Sequence, residues 1–169
     1  MTFKTIKELE DYIKKQAERS LIMAQEEVYR IVQSFVDEYY SSYTPQVYER
    51  TGQLYRSLVR GEIKATTNGY KAYVYFDLEK LDYSMKRLTK WQDSSGQYMN
   101  PFNHATSSDG WFKNSGYSNE KTLESAMKGL HGGLAVDTSP IWSNSLNEIN
   151  RNIIPIFKKY LKQNGIPIK

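Results

Sequence analysis

Apolar side chains recur every three or four residues along the first part of the chain, at Ile6, Leu9, Ile13, Ala17, Leu21, Ala24, Val28, Ile31, Phe35 and Tyr39. This is the α-helical period, and it gathers these residues into one stripe. Thr5 and Glu8 stand at capping-box spacing, in which hydroxyl and carboxylate each accept a backbone N–H left free by the first turn. The pattern stops at Ser41-Ser42-Tyr43-Thr44-Pro45, because proline disfavours helical geometry in the residue before it. At 1.5 Å per residue such a helix is about 55 Å long. That exceeds what a compact domain of this size needs, so the helix is expected to project or to be covered by a neighbouring subunit.

The next patterns are shorter. Leu54 and Leu58 stand one helical turn apart, which predicts a short helix after Thr51. Extended runs at Glu62–Thr67 and Lys71–Phe76 flank Asn68-Gly69, a strong hairpin signal because both turn residues tolerate positive φ. From about Ser84 to Tyr117 regularity fades into Ser, Asn, Gly and Asp interleaved with isolated aromatics. That stretch reads as an extended loop or arm. Ser118 then offers an N-cap for a short helix with Leu123, Met127 and Leu130 on one face, stopping at His131-Gly132-Gly133. The last helix has punctuation at both ends, Ser139-Pro140 before it and Asn164-Gly165 with Pro167 after it. Its apolar stripe runs through Ile141, Leu146, Ile149, Ile153, Ile156 or Phe157, and Tyr160. Pro155 lies inside and is expected to kink it, since proline removes one hydrogen bond and crowds the preceding turn. There is no internal repeat and no low-complexity tail.

Composition narrows the class. A chain of 169 residues, 39% hydrophobic and 25% charged, is expected to form a single domain with a real core. The fourteen tyrosines suit half-buried faces and protein–protein contacts, since each joins a large apolar ring to a polar tip. There are no cysteines, which excludes disulfides, thiolate metal sites and a cysteine nucleophile. No apolar run is long enough to span a bilayer, and the first residues read as an amphipathic helix instead of a signal core. The expectation is a protein made and used inside the cell, without a membrane partner.

The parts of an enzyme are missing. His104 lies in the polar stretch and His131 beside two glycines at an expected helix end, and neither belongs to a metal-ligand spacing such as H-E-x-x-H. Glu26-Glu27 and Asp37-Glu38 share the first helix with Lys14, Lys15, Arg19 and Arg30, the usual make-up of a solvated face. Gly132-Gly133 lacks the Lys-Ser/Thr of a phosphate-binding loop. No catalytic residue, metal or cofactor is expected. The net charge of +4 is mild, but Arg56, Arg60, Lys64 and Lys71 gather around the hairpin near tyrosines and form a candidate DNA-facing set. Non-specific DNA binding by this region is the alternative function.

The stretch Tyr43-Thr-Pro-Gln-Val-Tyr-Glu-Arg-Thr-Gly-Gln-Leu-Tyr-Arg-Ser-Leu58, after a long helix and before a hairpin, resembles the neck and tail-completion proteins of long-tailed phages, the gene-product-ten-like family. The closing segment, Gly129-Leu-His-Gly-Gly133 with Ile141-Trp142 and an end in Asn164-Gly-Ile-Pro-Ile168, is similar to versions from phages of Gram-positive hosts. No active site travels with this resemblance. Within the motif, Thr51 is placed to cap the short helix, Gly52 to turn the chain, and Leu54 with Leu58 to dock the helix on the core.

The resemblance implies an α+β subunit of a closed ring, six-fold or twelve-fold, around the channel that DNA crosses between head and tail. Combined with the patterns above, the expected fold is a long N-terminal amphipathic helix and a kinked C-terminal helix packed on a small antiparallel sheet containing a β-hairpin, in one domain over residues 1–169 with a loop or arm at about 84–117. The expected partners are further copies of the chain, the adjacent head-completion or connector and tail-tube or terminator proteins, and the packaged DNA. The place of action is the virion. Candidate subunit contacts are Tyr39, Tyr43, Tyr48, Arg50, Trp91, Tyr98, Trp111 and Phe112.

Overall fold

The first helix, α1, runs from Ile6 to Ser41, as its periodicity requires. In the computed structural model, residues 2–42, 52–81, 91–92, 98–99, 119–131, 134–135 and 140–168 are described. The start of α1 is capped, though not by a reciprocal box. The Glu8 amide donates to Thr5 Oγ1 at 3.1 Å, while the Glu8 carboxylate accepts from the Lys4 amide at 2.8 Å instead of from Thr5. Two free donors are satisfied in either arrangement.

Gly52 has φ +67, and its carbonyl accepts the amide of Arg56 at 3.1 Å to open the short helix α2, Gln53–Ser57. Leu58 is not on this helix: it begins strand β1, Leu58–Arg60. Both leucines are nonetheless buried, each worth about 2 kcal/mol of hydrophobic stabilisation. The strands β2 (Lys64–Thr66), β3 (Gly69–Lys71) and β4 (Val74–Phe76) complete an antiparallel hairpin. Its turn is Thr67-Asn68, one residue earlier than the sequence pattern suggests, with Gly69 at φ +151 opening β3.

The hairpin has two ladders. At the base Leu58 faces Phe76 and Arg60 faces Val74; at the tip Lys64 faces Lys71 and Thr66 faces Gly69. Between the ladders, residues 61–63 on one side oppose 72–73 on the other. That extra residue is a bulge, and it shortens the runs expected from alternation alone. A Cβ on Gly61 would lie 3.2 Å from Tyr73 Cβ, so the two strands approach closely at the bulge.

The stretch read as irregular contains a two-residue ladder: β5 (Trp91–Gln92) pairs with β6 (Tyr98–Met99). Helix α3, Asn119–Met127, ends earlier than expected, where the Gly129 amide donates to the Ala126 carbonyl at 3.0 Å and Gly129 takes φ +75. His131 therefore does not cap a helix. It lies in strand β7 (Leu130–His131), paired with β8 (Leu134–Ala135).

The last helix, α4, spans Ile141–Gln163 with Pro155 inside it. It closes by a Schellman motif: the amides of Ile166 and Gly165 donate to the carbonyls of Leu161 and Lys162, with Gly165 at φ +79. Only glycine adopts that backbone without strain. The apolar stripe of α4 is less covered than its pattern suggests. Ile141 and Ile156 are buried, but Leu146 and Ile153 are exposed and Phe157 is half-buried.

The chain is thus an α+β fold with a long N-terminal helix, a C-terminal helix and a small antiparallel hairpin. Its contacts divide it into two compact groups. One comprises Met1–Phe35, Leu58–Phe76 and Trp142–Lys169, with Ala24, Val32, Leu58 and Ile156 buried. The other comprises Val36–Ser57 and Asp77–Ile141, where α2 packs on a 3-10 turn at Leu78–Lys80 and Val36, Tyr39, Leu54, Leu81, Ala126 and Ile141 are buried.

Candidate functional site

Polar side chains fix α1 against its neighbours in the first group. Ser20 stands three residues after Ala17 and four before Ala24, on the apolar stripe itself. It is fully buried, its hydroxyl lying 2.7 Å from the Gln16 carbonyl and 3.1 Å from that of Tyr160, and it accepts from Asn164 Nδ2 at 3.0 Å. Two turns further on, Glu27 accepts a hydrogen bond from the Tyr160 hydroxyl and pairs with Lys159 at 3.2 Å. The Tyr160 bond, then Lys159, hold the Glu27 carboxyl below its ordinary range against the opposing effect of partial burial. The same contact pushes the Tyr160 phenol and the Lys159 ammonium up. Residues 20 and 27 thus meet 164 and 160 in reverse order, so α1 and α4 lie antiparallel.

Gln25 joins α1 to the hairpin. Its Nε2 donates to the carbonyls of Gly61 (2.7 Å) and Tyr73 (2.8 Å), and the Gly61 amide also donates to the Tyr73 carbonyl at 2.8 Å. Both carbonyls lie at the bulge, where the regular ladder is interrupted. A side-chain amide with two N–H donors serves both. Sequence reasoning passed over Gln25, since one glutamine on a polar-flanked helix gives no signal. Ser20 was legible in principle, as a polar residue on an apolar stripe.

Among the described residues, this packing leaves apolar side chains exposed at the start of α1 and along a groove. α4 ends beside Tyr12, whose hydroxyl is 2.9 Å from where a Cβ on Gly165 would be. The first turns of α1 overrun that end, and there the stripe faces solvent: Ile6, Leu9 and Ile13 are 78%, 39% and 44% exposed. The second surface is an open groove of about 740 Å³ between α1, the hairpin tip and α4, lined by Leu21, Tyr70, Ile153, Ile154 and Phe157 among others. Lys158 is its one charged lining residue among the described residues, and Ile154 at its edge is 66% exposed.

The basic residues of the hairpin do not form one free patch. Arg60 is ion-paired with Glu26 and its guanidinium lies 5.4 Å from the centre of the Tyr29 ring. These contacts tie Arg60 to α1. Lys64 and Lys71 face each other across the ladder, an unfavourable like-charge pair, with Lys64 Nζ 6.0 Å from the Tyr73 ring centre. Tyr73 and Tyr75 are exposed beside them. Arg56 is exposed on α2, in the other group.

Of the candidate contact residues, Tyr39 is buried, its ring 5.9 Å from that of Tyr40. Trp91 and Tyr98 occupy the β5–β6 ladder. Tyr43, Tyr48, Arg50, Thr51, Trp111 and Phe112 lie outside the described residues, as does His104. No cluster of three or more His, Cys, Asp or Glu side chains forms among the described residues. No helix among them is long and apolar enough to cross a membrane.

The model of the YomN family matches residues 5–163, from the Thr5 cap of α1 to the last residue of α4. The chain belongs to the YomN family. YomN is a phage-associated family, and the match includes both long helices, the hairpin and the β5–β6 ladder. No curated protein and no solved structure matches the chain.

Proposed function

We propose that this YomN-family chain is a structural virion protein of a tailed phage, a subunit of the neck or tail-completion ring that joins head to tail. The family supplies the phage setting. The assembly role rests on one observation: the stripe of α1 runs beyond its own cover at Ile6, Leu9 and Ile13, a costly arrangement for an isolated chain and a useful one for a chain that associates. In this reading copies of the chain form a six-fold or twelve-fold ring that meets connector and tail proteins and surrounds the DNA. Tyr43, Tyr48, Arg50, Trp91, Tyr98, Trp111 and Phe112 add contacts to it. Deleting the gene in a phage that carries it is expected to give filled heads and unattached tails. Normal particles lacking this chain would overturn the reading.

A second reading, non-specific DNA binding, draws on Lys64 and Lys71 paired across the ladder, with Lys64 over the ring of exposed Tyr73. It requires duplex affinity that falls steeply with salt. Lys64→Ala with Lys71→Ala is then expected to lower the salt slope by about two. An unchanged slope dismisses it.

A further inference from the structure

The overhang of α1 and the groove are complementary in chemistry and charge: both are apolar, and each carries a charge of opposite sign. We infer that the first turns of α1 from one copy seat in the groove of a second copy, with Ile6, Leu9 and Ile13 against Leu21, Ile154 and Phe157 and Glu10 beside Lys158. This rests on the assembly reading above and names the contact that builds it. Anchors at positions i, i+3 and i+7 are the pattern by which an amphipathic helix is read by an apolar groove. Glu10 stands four residues after Ile6 and three before Ile13, so it shares the face of the anchors. That face thus brings one carboxylate to a groove whose single charged lining residue, among the described residues, is the ammonium of Lys158.

The occupant is a second copy and not the chain itself. Ile6 and Leu21 belong to one continuous helix and are held about 22 Å apart along its axis, so the overhang cannot fold back into the groove that Leu21 helps to line. The two surfaces are also different patches of the subunit. A contact between unlike patches is head-to-tail, and it propagates until the rotation closes into a ring.

The chain contains no cysteine, so introduced thiols report only on the intended pair. Full-length Leu9→Cys and Ile154→Cys proteins, mixed and mildly oxidised, are expected to form a disulfide-linked dimer, in concentrated solution or once incorporated into particles. Neither variant alone is expected to do so. Leu9→Ser with Ile13→Ser is expected to weaken association by about tenfold or more. Glu10→Lys is expected to weaken it about threefold, with recovery when Lys158→Glu is added to the same chain.

Light scattering and particle composition separate the two ways of failing. If the protein assembles but the mixed thiols stay unlinked, or link no better than either variant alone, the seating is wrong and the assembly reading stands. If the chain neither associates nor enters particles, both are wrong.

Discussion

Two stretches of one helix carry the same apolar period to opposite ends. Between Gln16 and Val32, α1 meets α4 and the hairpin, and each buried polar group described there has a partner: Gln16 with Arg19, Ser20 with Tyr160 and Asn164, Gln25 with Gly61 and Tyr73. Between Ile6 and Ile13 the stripe continues without a break, yet its side chains are exposed. Periodicity makes a helix amphipathic; it does not say how much of the face is covered. Cover ends where α4 ends, at the Gly165 turn beside Tyr12. The first stretch is specified by directional bonds that tolerate one arrangement, and the second by bare apolar area that any matching groove can satisfy.

The contrast is sharpest at Gln25. Gln25→Ala removes both side-chain bonds to the bulge carbonyls and is expected to cost about 2–3 kcal/mol, read as a lower urea midpoint at unchanged slope. A loss within the error of the measurement would mean that the bulge is held by the strands alone, and the comparison would fail at its strongest point.

Tyr160→Phe deletes one hydrogen bond to a carboxylate at the partly exposed seam, with an expected cost of about 1 kcal/mol. The same variant carries a pH signature. Because the Glu27 carboxyl is held low in the folded chain, its contribution is present above the ordinary carboxylate range and is lost as pH falls through the lowered value. Because the Tyr160 phenol is pushed up, its contribution is present below the ordinary phenol range and is lost as pH rises through the raised value. Stability of the parent chain should decline at both extremes, and Tyr160→Phe should flatten both limbs. A pH profile identical to the parent's would remove this contact from the seam.

Gly165→Ala tests where the cover stops. A residue other than glycine at φ +79 costs about 1 kcal/mol, and the new Cβ presses on the Tyr12 hydroxyl. The smallest effect belongs to the overhang. Leu9→Ser with Ile13→Ser is expected to change the stability of the isolated chain by less than about 0.5 kcal/mol, while abolishing most self-association. If these substitutions unfold the chain in dilute solution, the overhang is part of the core and the distinction between the two stretches collapses.

Local chemistry was written in the sequence. The length of α1, the cap at Thr5, the hairpin around Asn68-Gly69, and the Gly165 stop of α4 follow from period, capping and φ preferences, each decided within a few residues of itself. The same local logic missed by one residue at the hairpin turn and by a strand at Leu58. It read a helix end at His131 where a strand pair lies, since a run of two residues has no period to detect. The β5–β6 ladder escaped notice for the same reason.

Tertiary structure alone decided what those elements do to one another. A glutamine at position 25 has no meaning until a bulge presents two carbonyls to it, and Arg60 was one of several basic residues until Glu26 and Tyr29 claimed it. Likewise the stripe of α1 reads as one continuous face, because the sequence records only which side is apolar. Where that face is buried depends on where α4 runs out, a long-range contact between residues more than a hundred positions apart. The place at which apolar surface is left over emerges only from the packing.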